Sequence, residues 1–153
     1  MRLLIDLKDF SLVNILLVED DYLLGRSMAR LLEASSHYRV RLTHTAADIF
    51  KYCEAGNVEL VLMDVNLPGT FWQNKETTGV DLSRLLKSNP ATCHIPVVLL
   101  TTNGADVNKS RLMNKALADS VCAKPIKDAD SFLSLLAQIV DRGSVCQLGL
   151  SAS

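Results

Sequence analysis

The chain has 153 residues, 48% of them hydrophobic and 22% charged, with a formal net charge of −1. This composition is typical of one globular domain, and the absence of a basic stripe argues against nucleic-acid binding. Charged residues interrupt the apolar start of the chain, and no apolar run is long enough to span a bilayer, so we expect neither a signal peptide nor a membrane anchor.

The four cysteines are widely scattered and show no CxxC pair or metal-ligand spacing; they are Cys53, Cys93, Cys122 and Cys146. Such a pattern favours incidental thiols in a reduced, cytoplasmic protein over a disulfide framework or a zinc site.

Hydrophobic periodicity predicts five strands that alternate with five helices. The strands cover residues 15–18, 38–43, 58–64, 95–100 and 120–123. The helices begin after Asp21, span 46–55, 79–88 and about 105–117, and run from an N-cap at Asp128 to Gly143. This alternation predicts an α/β fold with a doubly wound parallel sheet and helices on both faces. We expect an N-terminal extension at 1–13, one domain at 14–142 and a loose C-terminal tail at 143–153.

Polar side chains follow four of these strands. Glu19 and Asp20 follow the first, Asp64 ends the third, Thr101 follows the fourth and Lys124 follows the fifth. Because the carboxyl ends of parallel strands share one edge of the sheet, we expect these groups to converge. Clustered carboxylates repel one another, and Mg²⁺ relieves this repulsion. A hydroxyl and an ammonium beside them suit a phosphoryl group, and Asp64 is the candidate nucleophile.

Taken alone, each residue also has an ordinary interpretation. A single Asp at a strand end is usually a turn or cap residue, and Glu19 and Asp20 would suit the first turn of a helix. Asp21 fits the N-cap better than a metal site. The expected convergence of Asp20, Asp64 and Lys124 is what favours chemistry over these alternatives.

Four motifs in this order resemble the receiver domain of two-component response regulators, over roughly residues 14–142. They are Leu17-Val18-Glu19-Asp20-Asp21, Leu62-Met63-Asp64-Val65-Asn66-Leu67-Pro68-Gly69, Pro96-Val97-Val98-Leu99-Leu100-Thr101 and Ala123-Lys124-Pro125. The resemblance implies a flavodoxin-like sheet with strand order 2-1-3-4-5 and a cis Lys124–Pro125 bond.

The resemblance also implies a role for each matched residue. Asp64 would accept the phosphoryl group, Lys124 would pair with it, and Thr101 would be the switch hydroxyl. Asp20 and Asp64 would bind Mg²⁺ directly, Glu19 through water and Asn66 through its backbone carbonyl.

Several positions depart from the family pattern. Val121 replaces an aromatic residue that takes part in the switch, Thr102 replaces a smaller residue, and Leu117 stands where a glycine is common. The segment 69–78 is longer than usual and contains Phe71 and Trp72. It either packs its own aromatic residues or forms a lid or partner contact near Asp64.

We therefore expect a stand-alone response regulator, not a turnover enzyme. It would take a phosphoryl group from a histidine kinase or a phosphotransfer protein and signal to an unknown downstream protein. The resemblance implies that residues 104–142 form the partner or homodimer face. Two alternatives are a phosphorylation-independent adaptor and a haloacid-dehalogenase-like phosphatase. The phosphatase would need a general acid where Asn66 stands.

Overall fold

The computed structural model describes residues 12–102, 108–144 and 146. The strands are β1 (Val13–Val18), β2 (Tyr38–Thr43), β3 (Leu60–Asp64), β4 (Phe71–Trp72), β5 (Lys75–Glu76), β6 (Val97–Thr101) and β7 (Ser120–Ala123). The helices are α1 (Tyr22–Glu33), α2 (Ala46–Glu54), α3 (Gly79–Lys87), α4 (Lys109–Ala116) and α5 (Ala129–Arg142). None of these helices has the length and apolar character needed to cross a membrane.

The main sheet has five parallel strands in the order β2-β1-β3-β6-β7. Counted without the short strands β4 and β5, this is the predicted order 2-1-3-4-5, so the predicted fold class is confirmed. The central strands β3 and β6 are buried throughout, as expected of strands covered by helices on both faces.

Alternation of side chains along the strands divides the core into two layers. Leu16, Val61 and Leu99 pack in the layer that contains buried residues of α2, α3 and α4. Leu17 and Leu62 pack in the opposite layer, with buried residues of α1 and α5. The sheet is therefore held rigidly from both sides, and its strand ends are fixed relative to one another.

Helix starts follow the predicted capping pattern. The Asp21 carboxylate accepts a hydrogen bond of 3.1 Å from Leu24 N–H and caps α1. The Asp128 carboxylate accepts one of 3.1 Å from Ser131 N–H and caps α5. The predicted helix at 105–117 is observed from Lys109 onward, and residues 103–107 lie outside the described residues.

The long segment after β3 forms an antiparallel hairpin, β4–β5. Gln73 and Asn74 at its turn both have positive φ, which matches the twist of a tight hairpin. Trp72 packs on Phe50 of α2, with ring centroids 4.4 Å apart, whereas Phe71 is 60% exposed. Of the two alternatives for this segment, Trp72 thus fits the first, packing within the fold.

Two expectations from the sequence are wrong in part: that the four cysteines are incidental thiols, and that the C-terminal tail is loose. Cys93 and Cys146 form a disulfide, whereas Cys53 and Cys122 are free thiols. The described start of the C-terminal tail is attached, since Ser144 is hydrogen-bonded to Asp119. Sequence spacing did not predict either contact, because both join residues that are distant in the chain. The two cysteines are 53 residues apart in sequence, and the fold brings their Cα atoms to a separation of 5.2 Å.

Candidate functional site

Asp64 ends the buried central strand β3, and it is 4% exposed. Its Oδ1 accepts a hydrogen bond of 3.1 Å from the backbone N–H of Asn66, which orients the carboxylate at the start of the turn. Asn66 itself is exposed. One carboxylate oxygen is thus held by the backbone of its own loop, and the other faces neighbouring strand ends.

The side chains of Glu19 and Lys124 meet Asp64 at this edge. Lys124 Nζ lies 2.7 Å from Glu19 Oε1 and 3.2 Å from Asp64 Oδ2. All three residues are buried. Glu19 Oε2 also accepts a hydrogen bond of 3.3 Å from Asp21 N–H. Lys124 therefore bridges two carboxylates delivered by different strands.

Thr101 follows Leu100, the residue that pairs with Asp64 in the sheet, and it is 4% exposed. Its carbonyl accepts a hydrogen bond of 2.8 Å from Lys124 N–H, which ties the ends of β6 and β7 together. The Lys124–Pro125 bond that follows is cis, as the resemblance implies. A cleft of about 520 Å³ is lined by Asp64, Asn66 and Thr101.

The carboxylates of Glu19, Asp20 and Asp64 form a cluster that could hold a metal ion. One oxygen from each lies within 4.8 Å of the others, and Asp20 is exposed at its edge. Three carboxylates face one ammonium, so with all groups ionised the cluster has excess negative charge. A hard divalent cation with oxygen ligands matches both this charge and these donors, and Mg²⁺ therefore fits the residues present.

Burial and charge perturb the pKa values of two of these groups. Burial, together with the neighbouring Asp64 carboxylate, raises the pKa of Glu19, and Lys124 opposes this increase only in part. Burial by itself would lower the pKa of Lys124. Its contacts with Glu19 and Asp64 outweigh that effect and raise the pKa above the ordinary value for lysine. Lys124 is therefore a fixed positive charge at this site.

Gly79 contributes to the site in a way that sequence reasoning missed. It begins α3, and its N–H donates a hydrogen bond of 3.0 Å to the carbonyl of Val65. A Cβ at this position would overlap the Asp64 carbonyl oxygen and lie 2.8 Å from its carbonyl carbon. The capping box of Thr78 and Asp81 marks the helix start, but no local pattern indicates its close approach to β3.

Two of the departures from the family pattern have a clear place in the structure. Val121 is 7% exposed and belongs to the core layer shared with α2 and α3, so it lies inside the fold. Leu117 follows α4 with φ 57°, a left-handed conformation that glycine adopts more easily. Thr102 is exposed at the end of β6.

Comparisons with known proteins agree with this geometry. Residues 15–136 match the family model described as the response regulator receiver domain. The polar-differentiation response regulator DivK of Brucella ovis is 26% identical over 113 residues, which are 74% of this chain and 85% of DivK. The cyclic di-GMP phosphodiesterase response regulator RpfG of Xanthomonas campestris is 28% identical over 117 residues, which are 75% of this chain but 29% of RpfG.

Solved structures share the fold. A putative response regulator from Chloroflexus aurantiacus superposes with a TM-score of 0.73 at 22% identity, covering 86% of this chain and 100% of that one. The receiver domain of the sensor histidine kinase PA1611 from Pseudomonas aeruginosa, which has a magnesium ion in its active site cleft, superposes with a TM-score of 0.71 at 21% identity. It covers 86% of this chain and 99% of that one.

The family model matches most of the chain, and the strand order and the acidic edge of the sheet are consistent with that match. The chain therefore belongs to the response regulator receiver domain family of two-component signalling.

Proposed function

We propose that this chain accepts a phosphoryl group on Asp64 from a histidine kinase or a histidine phosphotransfer protein. The observation that carries the proposal is the contact of Lys124 with both Asp64 and Glu19 at the carboxyl edge of the sheet. A nucleophilic carboxylate, a fixed cation and further acidic oxygens are the groups that phosphoryl transfer needs.

In the proposed step, an oxygen of Asp64 attacks phosphorus and the P–N bond to the donor imidazole breaks. The P–O bond of an acyl phosphate forms, and the imidazole leaves with the electron pair of the broken bond. Lys124 neutralises part of the charge on the transferred group, while the N–H of Asn66 keeps the carboxylate oriented. Thr101, at the end of the adjacent strand, is the proposed hydroxyl that responds to the added charge.

Glu19, Asp20, Asp64 and the backbone carbonyl of Asn66 would hold Mg²⁺ in this function. When bound, the ion would neutralise charge on the phosphoryl oxygens. The magnesium ion in the PA1611 receiver domain supports this assignment, as does the acidic cluster of this chain.

The output of the proposed switch is a protein contact. Residues 104–142 remain the predicted partner or dimer face, of which 104–107 lie outside the described residues. The chain spans only 29% of RpfG. It spans 6% of a hybrid signal transduction histidine kinase of Dictyostelium discoideum, to which it is 27% identical over 127 residues. The domain limits of 14–142 and a cytoplasmic location also remain predictions.

The test is incubation of the chain with a small acyl phosphate or phosphoramidate and Mg²⁺, followed by intact mass. We expect a gain of one phosphoryl group that is lost in mild base. Asp64→Asn should abolish the gain, and omission of Mg²⁺ should slow it.

Asp21→Asn is the matched control, because asparagine is an equally good N-cap and Asp21 lies outside the acidic cluster. This variant should be phosphorylated at the parental rate. Phosphorylation of Asp64→Asn at that rate would refute the assignment, and steady release of phosphate from a monoester would indicate a phosphatase instead. A Mg²⁺-dependent increase in melting temperature, weakened by Asp20→Asn, tests the metal site separately.

A further inference from the structure

A second polar cluster lies at the amino-terminal edge of the sheet, opposite Asp64. Its centre is Lys87, the last residue of α3, whose side chain is 5% exposed. Lys87 Nζ donates hydrogen bonds to the carbonyl of Ile95 at 3.1 Å, to Asp119 Oδ2 at 3.4 Å and to the hydroxyl of Ser144. An ammonium group has three donors, so Ser144 supplies the third acceptor of a nearly buried charge.

Asp119 connects this cluster to the sheet and to the tail. Its Oδ2 accepts a hydrogen bond of 2.8 Å from Val97 N–H at the start of β6. Its Oδ1 accepts one of 3.1 Å from the hydroxyl of Ser144. Ser144 thus lies between Lys87 and Asp119 and completes the hydrogen bonding of both.

The disulfide anchors the same short segment of tail two residues further on. Cys146 is half-buried and is bonded to Cys93, which is 2% exposed. Cys93 lies in the turn between α3 and β6, where its N–H donates a hydrogen bond of 2.8 Å to the carbonyl of Asn89. The tail is therefore attached twice to the region between Lys87 and Val97, once covalently and once by polar contacts.

We propose that Cys93 and Cys146 are a reversible redox site whose substrate is a low-molecular-weight thiol/disulfide couple, and that its oxidation fixes Ser144 onto the Lys87–Asp119 pair. This goes beyond phosphorylation and does not depend on it. Small thiols reduce the disulfides that they can reach, and they would reach this one from the side of Cys146, which is half-buried, whereas Cys93 is buried.

The exchange is balanced by two thiols. The thiolate of a first glutathione attacks the sulfur of Cys146, the half-buried residue of the pair, the Cys93–Cys146 bond breaks, and Cys93 leaves as a thiolate that takes up a proton. A second glutathione thiolate attacks the glutathione sulfur of the mixed disulfide. This step releases Cys146 as a thiolate and forms oxidised glutathione. Oxidation of the chain is the reverse reaction, with oxidised glutathione as the electron acceptor.

Tail docking and oxidation favour each other by linkage. The contacts of Ser144 hold Cys146 near Cys93, which raises the effective concentration of the two thiols. Removal of the Ser144 hydroxyl should therefore shift the equilibrium toward the dithiol by roughly 10-fold or more, because the hydroxyl makes two hydrogen bonds and both are with charged side chains.

The experiment equilibrates the full chain over a range of reduced-to-oxidised glutathione ratios, blocks free thiols and measures the disulfide fraction by mass. We expect a reversible two-thiol transition that is lost in Cys93→Ser and in Cys146→Ser. Cys53→Ser is the matched control, because burial raises the pKa of the Cys53 thiol to about 12 and keeps it unreactive. Ser144→Ala should shift the midpoint of the glutathione titration so that the dithiol is favoured. Ser134→Ala, at an exposed position in α5, should leave that midpoint unchanged.

Trypsin cleavage after Arg142 provides a readout of tail release. Arg142 ends α5 and is exposed, so reduction should accelerate its cleavage in the parent chain. A disulfide that resists every glutathione ratio, or one that never forms, would refute the redox site. Equal midpoints for Ser144→Ala and Ser134→Ala, or unchanged cleavage on reduction, would refute the coupling to the tail.

Discussion

Replacing Gly79 with alanine should push the start of α3 away from the end of β3. The new Cβ would overlap the Asp64 carbonyl oxygen, and it would lie 2.8 Å from the Asp64 carbonyl carbon and 3.0 Å from Val65 Cα. Carbon atoms in contact prefer separations of roughly 3.5–4.0 Å. Because the obstructing atoms are backbone atoms of a buried strand end, the helix has to move, and the Gly79 N–H···O=C Val65 bond is lost or lengthened.

The expected cost follows from these two effects. Overpacking against fixed backbone costs about 1–3 kcal/mol, and loss of one hydrogen bond adds about 1 kcal/mol. We therefore expect unfolding free energy to fall by about 2–4 kcal/mol, which corresponds to a decrease of roughly 4–16 °C in melting temperature for a domain of this size.

Gly56→Ala is the matched control. Gly56 has φ +84° and no atom within 4 Å of an added Cβ, so alanine there bears only backbone strain, about 1 kcal/mol. Urea denaturation of both variants measures the difference, and phosphorylation with a small donor shows whether Asp64 is displaced. Gly79→Ala that is no less stable than Gly56→Ala would refute the close approach of α3 to the site.

Two further predictions concern single residues. Leu117→Gly should be more stable than Leu117→Ala by about 1 kcal/mol in urea denaturation. Both variants remove the leucine side chain beyond Cβ, but only alanine keeps the Cβ that is strained in the left-handed conformation at φ 57°. Equal stabilities would contradict that conformation. Burial lowers the pKa of Lys87 below its ordinary 10.5, and the nearby Asp119 opposes this shift only in part. Between the lowered pKa and 10.5, the folded chain therefore binds fewer protons than the unfolded chain. The contribution of Lys87 to the free energy of unfolding should be greatest above pH 10.5 and should fall as the pH falls toward the lowered pKa. The difference in urea midpoint between the parent and Lys87→Met, measured across this pH range, should follow the same trend. A difference that does not change with pH would contradict the burial of the charge.

Most of the fold could be predicted because its signals are local. Apolar runs such as Leu60–Asp64 identify buried strands, and side chains such as Asp21 and Asp128 mark helix starts through contacts three residues away. The alternation of these elements predicts a doubly wound parallel sheet, and the observed strand order is the one that the resemblance to receiver domains implies.

The sequence predicted which residues converge at the candidate site, but it did not predict which of their side-chain atoms are in contact. Parallel topology brings Glu19, Asp64 and Lys124 to one edge, as expected from their positions after strands. That Lys124 lies closer to Glu19 than to Asp64 depends on side-chain packing between residues 105 positions apart. The roles assigned to these residues remain predictions until the variants are measured.

Residue order alone determined the five strands of the parallel sheet, the helices and the edge where acids, hydroxyl and ammonium converge, because these features depend on local periodicity and on the geometry of parallel strands. It did not predict the β4–β5 hairpin. Tertiary structure decided the pairing of Cys93 with Cys146, the position of Ser144 beside Lys87 and the tight fit at Gly79. Those contacts join residues distant in sequence, and their partners are set by how the helices pack on the finished sheet, which no local pattern encodes.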